Sequence, residues 1–493
     1  MLAQGGFGGN RVEMERVRAL GSASAWLDEQ LAMPRTQGFF AWAEAQAPGG
    51  AQSAVDYAVW RKFLSSPDPL RQRMVFALSQ ILVVGLDGIP GADRAYSVLA
   101  YLDLLEQHAF GNFRALLEAV TLSTAMGAYL SMKNSQKADA TGRQPDENYA
   151  REVMQLFTIG LVQLNGDGTP QLQGGAPVET YGEADVSGLA RAFTGWDNET
   201  DKAGRTAPMF NRPERHETGA KTFLGITVPA NTSATESLRL ALDRLFNHAN
   251  VGPFIGTKLI QRLVTSNPSP AYVGRVAAVF NNNGAGVRGD LTAVLRAILL
   301  DSEARSAATA QADANGGRLR EPILRFAVWA RACNVNSASG QWRVAETSDP
   351  ATRLGQSAMR SPSVFNFYRP GYVPPNTAIA SAGKVAPEFQ ITTETSVAGY
   401  LNFMQSAISD TGGLFSSDVK ADYTAWLPLA NDPAALAAEA NLLLAANQLS
   451  AARETIIRNA LAAMPAVTST DRLNRVHAAL LLTLAAPEFL VAK

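Results

Sequence analysis

A mainly α, multi-helical globular fold is what this chain predicts, and three observations predict it. Alanine, leucine and arginine recur at helical spacing through most of its 493 residues. Helix start signals are frequent, whereas strand signals are sparse. Hydrophobic residues make up 46% and charged residues 18%, a balance that supports a core and excludes disorder. A chain this long buries most of its apolar surface, so it needs no metal or disulfide staple.

In chain order, Leu161–Leu164 and Thr169–Leu172 flank Asn165-Gly166-Asp167-Gly168. Asn-Gly and Asp-Gly supply the positive φ of a tight turn, which predicts a small β-hairpin over 161–172. Thr180-Tyr181-Gly182-Glu183 has the capping-box form and opens a helix over 184–193. Asn250 to Pro253 opens another, running to Val264. Ser269-Pro270 sets a cap before a proline at the first helical position. Asp290 caps a helix over 291–300. Three helices over 433–446, 450–464 and 471–484 close the chain. Residues 197–230 and 360–390 are rich in Pro, Gly and polar residues. They predict long loops, and the aromatics Phe365, Phe367, Tyr368, Tyr372 and Phe389 make the second an ordered one. The Gly and Ser stretches near 410–418 mark the best boundary, between a main helical domain (1–410) and a C-terminal helical subdomain (411–493) packed on it.

The net charge of −1 and pI near 6.5 give no support to a nucleic-acid partner. The longest apolar stretch, 74–86, is broken by Ser79 and Gln80, too short for the roughly 20 residues of a membrane span. The N-terminus has neither a charged region nor a long apolar run, so no signal peptide is visible. Cys333 is alone, which allows no internal disulfide and no cysteine-based metal site. Within its helical apolar run it is expected to be a plain buried thiol.

Familiar catalytic signatures fail in turn. There is no Gly-x-Ser-x-Gly elbow and no His-Glu-x-x-His. Gly219-Ala220-Lys221-Thr222 lacks the glycine before the lysine of a phosphate loop. Asn165 to Ala176 lacks the glycine and the final glutamate of a calcium loop. The four histidines, 108, 216, 248 and 477, are dispersed, so no metal site and no cofactor are indicated.

What remains is a set of charged and amide side chains in unusual settings. In a helix over 146–160, Asn148, Arg151, Glu152 and Gln155 fall on one stripe between apolar flanks. That stripe faces water, a structural ion network or a polar cleft. Glu183 is expected as the capping-box carboxylate. Arg191 lies among apolar neighbours and is expected to reach Glu152 or Asp185. Lys258 and Arg262 stand at i, i+4; facing outward they mean nothing, and facing inward they require an anion. His216, Glu217 and Lys221 share a polar loop that suits either acid–base chemistry or simple exposure. Asn366, Tyr368 and Arg369 suit a sugar or anion subsite, or a buried loop tied down by its own polar atoms.

Several segments resemble one family. They include DPLRQRMVFALSQILVV (68–84), DENYAREVMQLFTIGLVQLNGDGTPQL (146–172) and YGEADVSGLARAFTGW (181–196). FIGTKLIQRLV (254–264), REPILRFAVW (320–329) and SPSVFNFYRPGYVPP (361–375) continue the match in order, to RVHAALLLTLAAPEFLV (475–491). The chain is similar, almost end to end, to the domain-of-unknown-function 1800 family (DUF1800). The resemblance implies a bacterial protein, exported to the periplasm or beyond, often encoded beside a sulfatase-like partner. It implies that the N-terminal residues correspond to the first helix of the family domain. The family has no agreed activity, so no catalytic residue is carried over. Two readings follow. In the first, Asn148, Arg151, Glu152, Arg191, His216, Lys221, Lys258, Arg262, Asn366 and Arg369 line a polar cleft for an anionic or carbohydrate-like envelope ligand. Glu152 or His216 would then move a proton. In the second, the protein is a non-catalytic scaffold or accessory of that partner, and these residues are structural.

Overall fold

Helix follows helix from Leu2 to Leu490, and among the described residues the strands form only short antiparallel pairs. The computed structural model describes residues 1–46, 50–91, 94–306, 316–411 and 414–493. The fold is mainly α, as the periodicity predicts. Two residues of the predicted boundary, 412 and 413, lie outside the described residues.

Five helices and one hairpin position everything below. Helix α1 (Pro69–Ser79) buries every residue from Pro69 to Leu78. Helix α2 (Asn148–Glu152) is short. Helix α3 (Glu183–Ala192) packs on the hairpin of β1 (Lys221–Phe223) and β2 (Ile226–Val228). Helix α4 (Val251–Leu263) and helix α5 (Pro322–Ala332) complete the set. Phe326 on α5 sits at the centre of the core. Its ring lies 5.0 Å from Trp60 and 5.7 Å from both Phe403 and Phe415, so early and late helices share one apolar interior. The last strand, Val491–Ala492, pairs with Arg318–Leu319.

The local signals mostly perform as predicted. Ser269 Oγ accepts from the Tyr272 amide at 3.1 Å, with Pro270 at the first helical position. Asp290 Oδ1 accepts from the Ala293 amide at 3.1 Å. The closing helices are Pro433–Ala445, Ala451–Ala462 and Ser469–Leu484. Cys333 is buried and free. No helix among the described residues is long and apolar enough to cross a membrane.

Four expectations need correction. The helix expected over 146–160 starts at Asn148 and widens after Glu152 into a π-helical turn, Val153–Thr158. The Ile159 and Gly160 amides both reach back to Met154 O, and Gly160, at φ 71°, ends the turn. Bonding at i→i+5 breaks the 3.6-residue phase, so the single polar stripe on which the prediction relied does not persist through Gln155. The capping carboxylate of α3 is Asp185, not Glu183: Asp185 Oδ2 accepts from the Gly182 amide at 2.9 Å. The N-cap is Gly182 and not Thr180, whose hydroxyl donates to Gly160 O instead. The tight turn at 165–169 forms, with Asn165 N to Thr169 O at 2.8 Å. The predicted arms pair across it, with Leu164 bridged to Pro170 and the Gln171 amide donating to Gln163 O at 2.7 Å, and the regular ladder lies further out, between Leu172–Gln173 and Ala176–Pro177. Finally, the expected loop 197–230 contains the β1–β2 hairpin. Its alternation was visible: Lys221, Phe223 and Val228 are buried while Thr222 and Thr227 are exposed, around Leu224-Gly225, both at positive φ.

Candidate functional site

The charged residues singled out in the sequence sort into separate neighbourhoods. The first is a ladder of ion pairs where α2 meets α3. Glu183, Ser187 and Arg191 recur at i, i+4 and i+8 on one face of α3. Arg151 donates to Glu183 Oε1 at 2.9 Å and to Glu147 Oε2 at 3.3 Å. Ser187 donates to the other oxygen of Glu147. Arg191 pairs with Glu217 at 3.4 Å, rather than with the predicted Glu152 or Asp185. Asp185 is already committed to the Gly182 and Leu224 amides. Asn148 is exposed at the start of α2, its amide held by Asp146.

The second neighbourhood is buried, although the sequence suggested an open loop. His216 is 4% exposed. Its Nδ1 lies 2.9 Å from Thr194 O and its Nε2 lies 3.2 Å from Ser237 Oγ. Both ring nitrogens are therefore engaged, and burial lowers its pKa. Lys221 on β1 is fully buried, with no hydrogen bond to its ammonium. Burial lowers its pKa, opposed by the charge of Glu217. Gly188 lets β1 approach this closely: a Cβ there would lie 1.8 Å from Thr222 O.

Glu152 stands apart from both. It is 8% exposed, and Oε2 has no hydrogen-bond partner. Burial raises its pKa against the pull of Arg151. The charge of this carboxylate is felt by the hydroxyls of Tyr129 and Tyr181.

The third neighbourhood is an open cleft of about 500 Å³ between the π-helical turn, α4 and the 365–373 loop. It brings together two predicted residues, Lys258 and Arg369, and adds Gln155 at its edge. Each cation lies over an aromatic face, Lys258 over Phe254 at 4.8 Å and Arg369 over Phe365 at 4.9 Å. Phe254 in turn packs where only glycine fits: a Cβ on Gly160 would meet its ring at 2.8 Å. Among the described residues neither cation has a carboxylate partner, and no Asp or Glu lines the cleft. Burial, with the neighbouring Arg262 charge, lowers the Lys258 ammonium to about 8. A larger hollow of about 630 Å³ is lined by Asp103 and Glu118. Its acids are already occupied, Asp103 by the Phe39 and Phe40 amides and Glu118 by Arg114.

One turn further along α4, Arg262 points inward over Tyr368, 4.6 Å from the ring centre. Here lies a charged core that sequence reasoning missed. Glu321 is completely buried. It accepts from Arg318 at 2.6 Å, from Gln356 at 2.7 Å and from Gln80. Arg73 and Arg318 both donate to Arg262 O, and Arg318 also pairs with Glu388 at 3.4 Å. Burial alone would raise the Glu321 pKa, but Arg318, Arg262 and Arg73 outweigh it and hold it at about 2. The overlooked signal was arginine and glutamate inside or directly before largely apolar helices, in LRQRMVF and RLREPILRF. Charges buried on such helices have to pair. Asn366, 8% exposed and at φ 62°, lies on the far side of the same loop, beside Gln80 and Gln356.

A family model described as "Protein of unknown function (DUF1800)" matches residues 1–491. No curated protein and no solved structure matches the chain.

Proposed function

The chain belongs to the DUF1800 family, and from that premise we propose that it binds an anionic ligand in the cleft between α4 and the 365–373 loop. The observation that carries this reading is the pair of cations in one cleft without a carboxylate to neutralise them. Elsewhere Arg151 pairs with Glu147 and Glu183, and Arg191 with Glu217. Such ion pairs serve the fold. An unanswered ammonium and guanidinium at the same opening gain from an incoming anion, each by about 1.5–3 kcal/mol as a charge-assisted hydrogen bond.

Within this reading, Lys258 and Arg369 hold the anion. Arg262 supplies positive charge from behind, and Gln155 a polar contact at the edge. Glu152 is the candidate proton donor: it is buried with Oε2 unpartnered, burial raises its pKa, and it leads directly into the π-helical turn whose Gln155 and Leu156 line the cleft. His216, with both nitrogens engaged, is assigned to the fold. An exported setting and a sulfatase-like partner are what the family resemblance adds, and a sulfate ester suits both cations. Calorimetric titration with inorganic sulfate and simple organosulfates tests the proposal. Binding lost in Lys258→Met and Arg369→Met supports it, and binding unchanged in both variants overturns it.

A further inference from the structure

The composition of the cleft says more than its charge. Besides its two cations, its polar side chains are Gln155 and the Tyr372 hydroxyl. The rest of the wall is aromatic or aliphatic, with Phe254, Phe365, Leu156, Leu161, Pro370 and Val373. Leu161 is 55% exposed and Val373 40% exposed. Single exposed aliphatic residues need no explanation. Two at the lip of one cation-bearing cleft, continuous with aromatic walls, make an apolar surface that a ligand can cover.

Resting on the anion-binding reading above, we infer that the ligand is an anionic amphiphile: one small molecule with an apolar body and an anionic head. A hydrophilic oligosaccharide fits poorly. Each sugar hydroxyl taken from water needs a replacement hydrogen bond, and this wall offers few. An alkyl or aryl body covers Phe254, Phe365, Leu161 and Val373, while its head meets Lys258 and Arg369. The volume of about 500 Å³ is in the range of small-molecule sites. The concavity favours a single molecule over a flat lipid surface.

The test uses the full chain and calorimetric titration with butyl, hexyl and octyl sulfate below their aggregation thresholds. Inorganic sulfate, a sulfated disaccharide and octyl glucoside serve as comparisons. The expected result is an affinity rising roughly two- to fourfold per methylene, with octyl sulfate ahead of every comparison compound. Leu161→Ser with Val373→Ser, both at exposed positions, should weaken octyl sulfate about tenfold and leave inorganic sulfate unchanged. Equal or tighter binding of the sulfated disaccharide overturns the inference while the anion site stands. Octyl glucoside matching octyl sulfate, with no effect of Lys258→Met or Arg369→Met, removes the anion site itself. Sedimentation with phosphatidylglycerol vesicles that octyl sulfate fails to compete away assigns Leu161 and Val373 to a membrane surface and also overturns it.

Discussion

Lys258 holds its ammonium 4.8 Å from the centre of the Phe254 ring, one turn back on the same helix, with Arg262 one turn ahead. Burial, together with the like charge of Arg262 beside it, lowers the pKa of this ammonium to about 8 from 10.5. Anion binding should therefore be strong below pH 8 and weaken as pH rises through it, earlier than an ordinary lysine allows. Titrations from pH 6.5 to 9.5 check this, and Lys258→Arg should extend the binding window upward. Between about pH 8 and 10 the unfolded chain holds more protons at this position, so this group makes stability rise with pH there. Lys258→Met should lose roughly ten- to a hundredfold in affinity while folding at least as stably as the parent. Loss of both binding and stability would point to a structural lysine.

The buried core behind the cleft predicts acid sensitivity of a particular sign. Glu321 is held at about 2 from an ordinary 4.5, so its contribution to stability is full above the unfolded value and lost as pH falls towards 2. Glu321→Gln leaves Arg318, Arg73 and Arg262 facing one another, and should cost about 3–5 kcal/mol in urea unfolding at pH 7. The same variant should flatten the decline of stability below pH 4.5. A cost under about 1 kcal/mol would mean that water reaches the cluster.

How much of this was legible in the sequence depends on which constraint governed each residue. Caps such as Ser269 and Asp290 act within three residues, so local reading found them. The stripe of Asn148, Arg151, Glu152 and Gln155 was drawn on an ideal 3.6 period, and the π-helical turn after Glu152 broke it. Gly160, which ends that turn, packs under Phe254, a contact almost a hundred residues away in the chain. The i, i+4 spacing of Lys258 and Arg262 is legible in the sequence, and it implies that such a pair needs an anion where it turns inward. Glu321 was passed over because its partners, Gln80, Arg318 and Gln356, come together only in three dimensions. His216 looked like an acid–base residue because its loop is polar. The packing of Thr194 and Ser237 against its ring is tertiary and left no local trace.

That packing makes His216 a check on the site assignment. Its pKa is lowered by burial, so the folded imidazole takes up its proton at lower pH than the unfolded one, which protonates below about 6.5. Stability should be full above that pH and decline as pH falls below it. His216→Ala should remove this dependence and cost about 2 kcal/mol through Thr194 and Ser237. Octyl sulfate affinity should stay within twofold of the parent. A selective loss of binding in a stable His216→Ala chain would return this histidine to the site.

Glu152 carries the opposite pH sign to Glu321, and the contrast separates a poised acid from a structural one. Its Oε2 is buried without a partner, and burial raises its pKa, so the folded chain holds a proton that the unfolded chain releases first. Stability from this residue is present at low pH and lost as pH rises through its folded pKa. Glu152→Gln removes that loss, because an amide of the same shape carries no charge to desolvate. The variant should match or exceed parental stability at pH 7 by about 1 kcal/mol. Affinity for octyl sulfate should hardly change, since Glu152 is not among the residues lining the cleft. Any ligand conversion that depends on proton donation should vanish in this variant, with tight binding intact. If Glu152→Gln instead unfolds the chain, its carboxylate is an anchor, and the proton-donor role falls.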